Sequence, residues 1–350
     1  MTTRLATPPG QAPQGPQAVL QDALAAYAEP RALAALLGVA EDAVPARLWD
    51  AALLDPARGF LARPGKAFRA RLVELGWALG GGEGPCPDGL VALVELLHAG
   101  SLIVDDIQDA SELRRGEPTL HRTHGMPLAL NTGNWMYFAA LGLIDGLGCA
   151  PALRGRLYAE AVRMLTRCHH GQALDISVHI GLLAHHEVAG VVETTTRLKT
   201  GALMGWAAGS AAIAAGADDD RIGAITRFGE SLGVALQMLD DLSGLLNPAR
   251  RDKGLEDLRG ARPTWPWAWL TQSVDEVTFV RLQHRARAAQ DGAPPAPLLA
   301  QLARHVGARG RAAVAAQLHA TFADLEAAVG PHPALAVARD EIERLGQSYL

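Results

Sequence analysis

Cysteine is scarce: Cys86, Cys149 and Cys168 are the only three in 350 residues. An odd count without close spacing argues against a disulfide framework and against a cysteine zinc site. Free thiols in a reducing cytoplasm are the expectation. Aromatic residues are only 5% of the chain. With Ala, Leu and Gly abundant, that favours closely packed helices over a β-sandwich. The net charge is −5 and spread along the chain, so there is no basic face of the kind a nucleic-acid binder carries. Long apolar runs are missing too. The most apolar stretch, "GALMGWAAGSAAIAAGA" (201–217), is short and rich in small residues. A membrane span needs ~20 apolar residues, so this stretch reads as a core helix at a close crossing and no integral membrane association is expected. The N-terminus lacks a charged and then apolar leader, so no secretory signal is expected.

What the chain does have is helical periodicity. Residues 1–17, "MTTRLATPPGQAPQGPQ", read as disordered. Beyond them apolar residues recur at helical spacing, first at Leu20, Leu24 and Tyr27 and then at Leu33, Leu36 and Leu37. The same period predicts helices over 68–80, 89–107, 127–147, 152–180, 186–216, 219–246, 264–272, 275–289, 295–305, 309–329 and 332–349. Breaks carry Gly or Pro, as in "RRGEP" (114–118) and "NPARRDKG" (247–254). No repeat is present. Residues 18–350 are expected to form one all-α domain of about a dozen helices.

One segment is locally unfavourable. "LLHAGSLIVDDIQDASELRRGEPTLH" (96–121) ends an apolar helix in Asp105, Asp106 and Asp109, then turns positive at Arg114 and Arg115. At ~100° per residue, Asp105 and Asp109 share a helix face. Their charges repel, and the C-terminal end of a helix disfavours anions. A cation is therefore expected there. Oxygen ligands suit Mg²⁺, which leaves coordination places for water and phosphate. A solvated acidic helix end is the plainer alternative. A second segment shifts the balance: "GESLGVALQMLDDLSG" (229–244) again runs an apolar helix into aspartates, Asp240 and Asp241. Two such helices could clamp metal ions that bridge a diphosphate. Arg114, Lys199, Lys253 and Arg262 are candidates to hold its remaining oxygens.

These motifs resemble the trans-isoprenyl diphosphate synthases, or polyprenyl synthetases, over about residues 60–270. "DDIQD" matches the first aspartate-rich motif and "LRRGEPTLH" the arginine pair after it. "PGKAFRA" resembles GGKRxRP, with Ala67 in place of an arginine. "GQALD" (171–175), "KTGALM" (199–204), "LGVALQMLDD" and "DLRGARPTWP" (257–266) match further family segments, the last with Arg262 for a lysine. The resemblance implies the all-α isoprenoid synthase fold around a central cavity, usually as a homodimer. It implies Mg²⁺, three ions per site with substrate bound, held by Asp105, Asp109 and Asp240. Arg114, Lys199, Lys253 and Arg262 would contact the allylic diphosphate; Lys66, Arg69, His98 and Arg115 would contact isopentenyl diphosphate. Gln172, Asp175, Thr200 and Gln237 would line the reacting region or support the metals. Gly100 and Ser101 would set product length, with Met136, Tyr137 and Phe138 as a deeper floor, favouring geranylgeranyl diphosphate.

The departures are Gly244 for the last aspartate of the second motif, Asn134 for an aspartate, and bulky Trp135, Trp265, Trp267 and Trp269, read as packing residues. The adjacent pairs His169–His170 and His185–His186 lack metal-ligand spacing. A class I terpene cyclase and a catalytically weak regulatory subunit stay open as alternatives. The surviving isopentenyl diphosphate residues favour the synthase.

Overall fold

The computed structural model describes residues 16–25, 27–63, 65 and 68–349. The segment expected to be disordered lies outside them as far as residue 15, and helix begins at Pro16. Seventeen α-helices follow among the described residues, and the fold is all-α as expected. By its internal contacts the chain forms two compact units, residues 1–161 with 210–217, and residues 162–209 with 218–350. Two of the boundaries run through the middle of helices, which is why no Pro- or Gly-rich linker marks them in the sequence.

The first unit contains α1 (Pro16–Ala25), α2 (Pro30–Leu37), α3 (Ala46–Trp49), α4 (Asp55–Leu61), α5 (Phe68–Leu79), α6 (Asp88–Gln108), α7 (Leu120–His124), α8 (Met126–Gly142) and the start of α9 (Pro151–Ser177). Its spine is α6. Leu90, Leu93, Val94 and Leu97 fall at helical spacing and are fully buried, and so are most of their neighbours. At the α6–α8 crossing, a Cβ added to Gly100 would lie 2.7 Å from the Gly133 carbonyl and 3.1 Å from Met136 Cβ. Trp135 packs edge-on against Tyr27, centroids 5.2 Å apart, and the Tyr27 hydroxyl donates to the Ala139 carbonyl at 2.9 Å.

The second unit holds the rest of α9, α10 (Val188–Thr196), most of α11 (Ala202–Ala214), α12 (Asp219–Leu246), α13 (Arg251–Arg259), α14 (Trp265–Thr271), α15 (Glu276–Gln290), α16 (Ala296–Val329) and α17 (Pro333–Tyr349). Asp218 caps α12 by accepting from the Arg221 amide at 2.8 Å. The small residues of 201–217 do serve a close crossing: a Cβ on Gly229 of α12 would meet the Met204 carbonyl at 2.5 Å and Gly205 Cα at 2.8 Å. Trp267 and Trp269 are core residues of this unit, and Trp267 meets Phe279 edge-on.

Four details differ from the periodicity reading. Residues 46–61, left without a helix, form α3, a π-helical turn and α4. "RRGEP" is a short antiparallel hairpin, β1 (Leu113–Arg114) with β2 (Glu117–Pro118). The segments 295–305 and 309–329 are one helix, because Gly307 and Gly310 act as packing residues against Leu246 and against Leu242 and Trp269. Half of the expected break 247–254 is helical, so Lys253 sits on α13.

Gly229→Ala should lower stability by about 1–3 kcal/mol, since two backbones must separate. That outweighs the gain of ~1 kcal/mol in helix propensity. Gly155→Ala on α9, where an added Cβ meets nothing within 4 Å, should be neutral or stabilising. Thermal melts of the two variants check the pair.

Candidate active site

In the first unit, α6 delivers Asp105, Asp106 and Asp109 to its last turn. The helix closes with two crossed bonds, Ser111 N–H to Asp106 O at 2.9 Å and Ala110 N–H to Ile107 O at 3.2 Å. This is a Schellman motif with Ala110 in the left-handed region, φ 51°, where glycine is usual. The chain then turns back through the hairpin. Its two turn residues, Arg115 and Gly116, both have positive φ, 57° and 81°. A two-residue turn of this kind favours Asn-Gly, so an arginine at the first position is held under strain.

Arg114 donates through Nε (2.8 Å) and Nη2 (2.5 Å) to Asp106 Oδ1, and its Nη2 is 3.6 Å from Asp105 Oδ2. Burial opposes the Arg114 charge, but Asp106, Asp105 and Asp109 outweigh it and push the guanidinium above its usual range. Asp106 is 1% exposed. Burial raises its carboxyl despite Arg114, and its Oδ2 has no hydrogen-bond partner among the described residues. Arg115 donates to the Arg63 carbonyl at 3.1 Å, and a Cβ on Gly65 would touch its guanidinium at 3.1 Å. Burial, then Arg114, lower Arg115, with Glu95 opposing. His98 is held neutral, well below its ordinary value, by burial and then by Arg69, Arg115 and Arg114. The unit thus brings Arg69, His98, Arg114 and Arg115 into one electropositive group beside the three carboxylates. Lys66 lies outside the described residues.

The second unit builds its cluster on a π-helical turn, Arg197–Gly201, which projects Lys199 and Thr200. Gly171 of α9 permits this approach, since a Cβ there would lie 2.5 Å from the Lys199 amide. Lys199 Nζ donates to Asp175 Oδ2 at 2.6 Å, with Arg262 at 4.0 Å from the same oxygen. Gln172 lies on the same helix, half-buried and one turn before Asp175. Asp240 is held by Arg250 (2.5 Å) and Lys253 (2.9 Å), and Lys253 also pairs with Asp257 at 3.4 Å. Burial works against the Lys253 charge, but Asp257, Asp240 and Asp241 push its ammonium above the usual range. A chain of bonds runs from Thr200 Oγ1 to Gln237 Oε1 (3.2 Å), from Gln237 Nε2 to Asp241 Oδ1 (2.8 Å), and from the Trp265 amide to Asp241 Oδ2 (3.0 Å). Burial pushes the Asp241 carboxyl up to about 7.

Residues 50–291 match the sequence model of the polyprenyl synthetases. The chain belongs to the polyprenyl synthetase family. It is 31% identical over 189 residues to the geranylgeranyl diphosphate synthase of Sulfolobus acidocaldarius, covering 52% of this chain and 54% of that one. It is 34% identical over 188 residues to the geranylgeranyl diphosphate synthase of Mycobacterium tuberculosis, covering 52% and 51%. The chain spans about half the length of these curated relatives. Among solved structures, its fold resembles that of a decaprenyl diphosphate synthase from Rhodobacter capsulatus, with a TM-score of 0.74, 21% identity, and coverage of 96% of this chain and 100% of that one.

Several site residues had no role assigned in the sequence reading. Asp106 and Asp241 are the buried members of the two aspartate pairs: Asp106 holds Arg114, whereas Asp241 is held by the neutral Gln237 amide and the Trp265 backbone N–H. Arg250 and Asp257 were missed, although the turn from Asp240 to the basic "ARRDK" repeats the charge reversal that singled out Arg114. Trp265 is more than packing: its indole N–H donates to Thr196 at 3.1 Å while its amide holds Asp241. Gly244 has a packing cause. Its added Cβ would meet Gly254 N at 3.1 Å and Cα at 3.2 Å, so α13 occupies the space of a third aspartate. Asn134 is exposed on α8. His169 and His170 bond the carbonyls four residues back, Leu165 and Thr166, and His185 packs on Phe279.

Among the described residues no three His, Cys, Asp or Glu side chains converge into a self-sufficient metal site. The donor set nonetheless fits Mg²⁺, which takes one or two carboxylates and completes its shell with water and phosphate. The unpartnered buried Oδ2 of Asp106 marks the anionic surplus at the end of α6.

Asp106→Ala should destabilise by about 1.5–3 kcal/mol, because Arg114 loses both charged hydrogen bonds. Asp109→Ala should destabilise less, by about 0.5–1 kcal/mol, because Asp109 is half-buried and lends Arg114 a better-solvated charge. Urea denaturation of both variants decides; equal effects would contradict the division of labour among the three aspartates.

Proposed function

We propose that this protein is a trans-prenyltransferase that joins isopentenyl diphosphate head-to-tail to an allylic diphosphate, with geranylgeranyl diphosphate as the favoured product. The observation that carries this reading is the electropositive group Arg69, His98 and Arg115 beside the aspartates of α6. A terpene cyclase needs the aspartates but has no second diphosphate to hold. The geranylgeranyl diphosphate synthase relatives support the same reading.

In this reading Asp105 and Asp109, with Asp240, would hold Mg²⁺, three ions with substrate bound, and the metal would supply neutralisation of the allylic diphosphate as a leaving group. Arg114, Lys199, Lys253 and Arg262 bind its oxygens, with Arg114 and Arg262 offering a planar fork. Lys66, Arg69, His98 and Arg115 bind the diphosphate of isopentenyl diphosphate, with His98 neutral and donating one N–H. The allylic C–O bond breaks and the isopentenyl double bond forms the new C–C bond. One proton then passes to the departed diphosphate. Thr200 and Gln237 would direct their dipoles at the allylic carbon, Asp175 keeps Lys199 in place, and Gln172 would line the reacting region. Among the described residues neither cluster contains a nucleophile–histidine pair, and in this reading the diphosphate serves as base.

Product length is read from α6 and α8. Gly100 lies at their crossing against Met136 and Tyr137, and the Ser101 hydroxyl donates to the His98 carbonyl at 2.8 Å. Phe138, one of the three expected floor residues, is 72% exposed and does not line this face. Met126 and Leu130 are exposed on the same helix, and in a homodimer a partner subunit would cover these apolar side chains. Three free thiols agree with a cytoplasmic enzyme, and among the described residues no helix is long and apolar enough to cross a membrane.

The test is incubation with isopentenyl diphosphate and each allylic primer, with products identified by mass spectrometry. Geranylgeranyl diphosphate is expected. A cyclic hydrocarbon from an allylic diphosphate alone would install the cyclase reading. Asp105→Ala and excess chelator should each remove most turnover. Arg115→Ala should raise KM for isopentenyl diphosphate more than for the primer, and Arg114→Ala the reverse.

Ser101→Phe should shorten the product, because the ring fills the space of an isoprene unit. An unchanged product distribution would place the floor elsewhere.

A further inference from the structure

Arg250 stands outside every family motif matched above, yet it makes the shortest contact to Asp240. It ends the 3-10 turn Pro248–Arg250 and opens α13. Asn247 fixes that turn from both sides: its Oδ1 accepts from the Ala249 amide at 3.0 Å, and its Nδ2 donates to the Tyr349 carbonyl at 3.0 Å. Tyr349, on the last turn of α17, lays its ring on the guanidinium with Arg250 Cζ 4.2 Å from the centroid. It also packs against the core of the second unit. The guanidinium is therefore held on one face by an aromatic ring and points its N–H groups at Asp240 Oδ1.

We propose that Arg250, positioned by Tyr349, is a further diphosphate-binding side chain that guards Asp240 until a metal–diphosphate ligand arrives. The inference rests on the prenyltransferase reading and adds a residue to it. Both oxygens of Asp240 are taken by protein cations, Oδ1 by Arg250 and Oδ2 by Lys253. Lys253 has a second acceptor in Asp257. Arg250 has no other ion-pair partner among the described residues. When Asp240 turns to a metal ion, Lys253 falls back on Asp257, whereas Arg250 is left with N–H groups facing the site and only the ring behind it. A cation–π contact does not satisfy those N–H groups. A phosphate oxygen pair does, in the bidentate geometry that arginine favours. Tyr349 limits how far the guanidinium can swing, so the exchange of partners is local.

Two opposite effects follow for one substitution, measured on the full chain without turnover. Mn²⁺ alone, followed by electron paramagnetic resonance, should bind Arg250→Gln about threefold to tenfold more tightly than wild type, because a competitor for Asp240 is gone. Inorganic pyrophosphate in saturating Mn²⁺, followed by calorimetry, should bind the same variant about tenfold more weakly, because a charged clamp is gone. Tyr349→Ala should move the pyrophosphate affinity the same way by a smaller factor, and Tyr349→Phe should restore it. If both affinities of Arg250→Gln fall together, or neither moves while its melting temperature drops, Arg250 is structural and the proposal is overturned. If Asp240→Ala binds Mn²⁺ as wild type does, Asp240 is no metal ligand and the proposal falls. Crossed affinities in a protein that makes no prenyl product would keep Arg250 in its role and count against the reaction assigned.

Discussion

Neighbouring carboxylates on one helix need cations, and each unit meets that demand in the same way. Adjacent acids oppose one another's charge in both clusters, and at the end of α6 the helix dipole opposes it too. In the first unit the hairpin after α6 returns Arg114 to Asp106 and Asp105. In the second, the turn after α12 returns Arg250 and Lys253 to Asp240. Each arrangement couples a helix with a long buried apolar face to carboxylates that the chain just after the helix neutralises. Such paired charges do not make stability by themselves. They hold the carboxylates ready for a hard cation and the guanidinium and ammonium groups ready for its anionic partner.

The backbone shows what this costs. Ala110 and Ala261 adopt left-handed φ, 51° and 49°, at positions where glycine is usual. Both follow a site helix and close it in the same crossed-bond pattern, the second through Ala261 N–H to Leu258 O and Arg262 N–H to Asp257 O. Arg115 is strained in its turn. Together with the π-helical turn under Lys199, these irregularities coincide with the charged clusters, as expected where geometry serves a ligand rather than stability.

Much of this was legible in the chain. Apolar periodicity located α5, α6, α12 and α14 closely, because each buries a long stretch of side chains. It failed where packing overrides local signals. Gly307 and Gly310 look like a break but are contact points inside α16, and the polar "RDKGLEDLR" forms α13 although it is poor in apolar residues. The half-buried members of the site, Asp105, Asp109, Lys199 and Lys253, were found from charge pattern and family resemblance. Asp106, Asp241 and Arg250 were given no role, because which acid of a pair is buried, and which of several arginines turns inward, depends on tertiary contacts. Gly244 read only as a departure from the second motif; the close backbone approach of Gly254 gives it a steric origin.

The central claim is that these clusters are built for an anion bridged by metal and not for either component alone. Calorimetric titration of inorganic pyrophosphate into the full chain, with Mg²⁺ and then with excess chelator, tests it most directly. The account predicts binding with Mg²⁺ that is lost in chelator and in Asp105→Ala. Equal binding in chelator, or undiminished binding by Asp105→Ala, would contradict it.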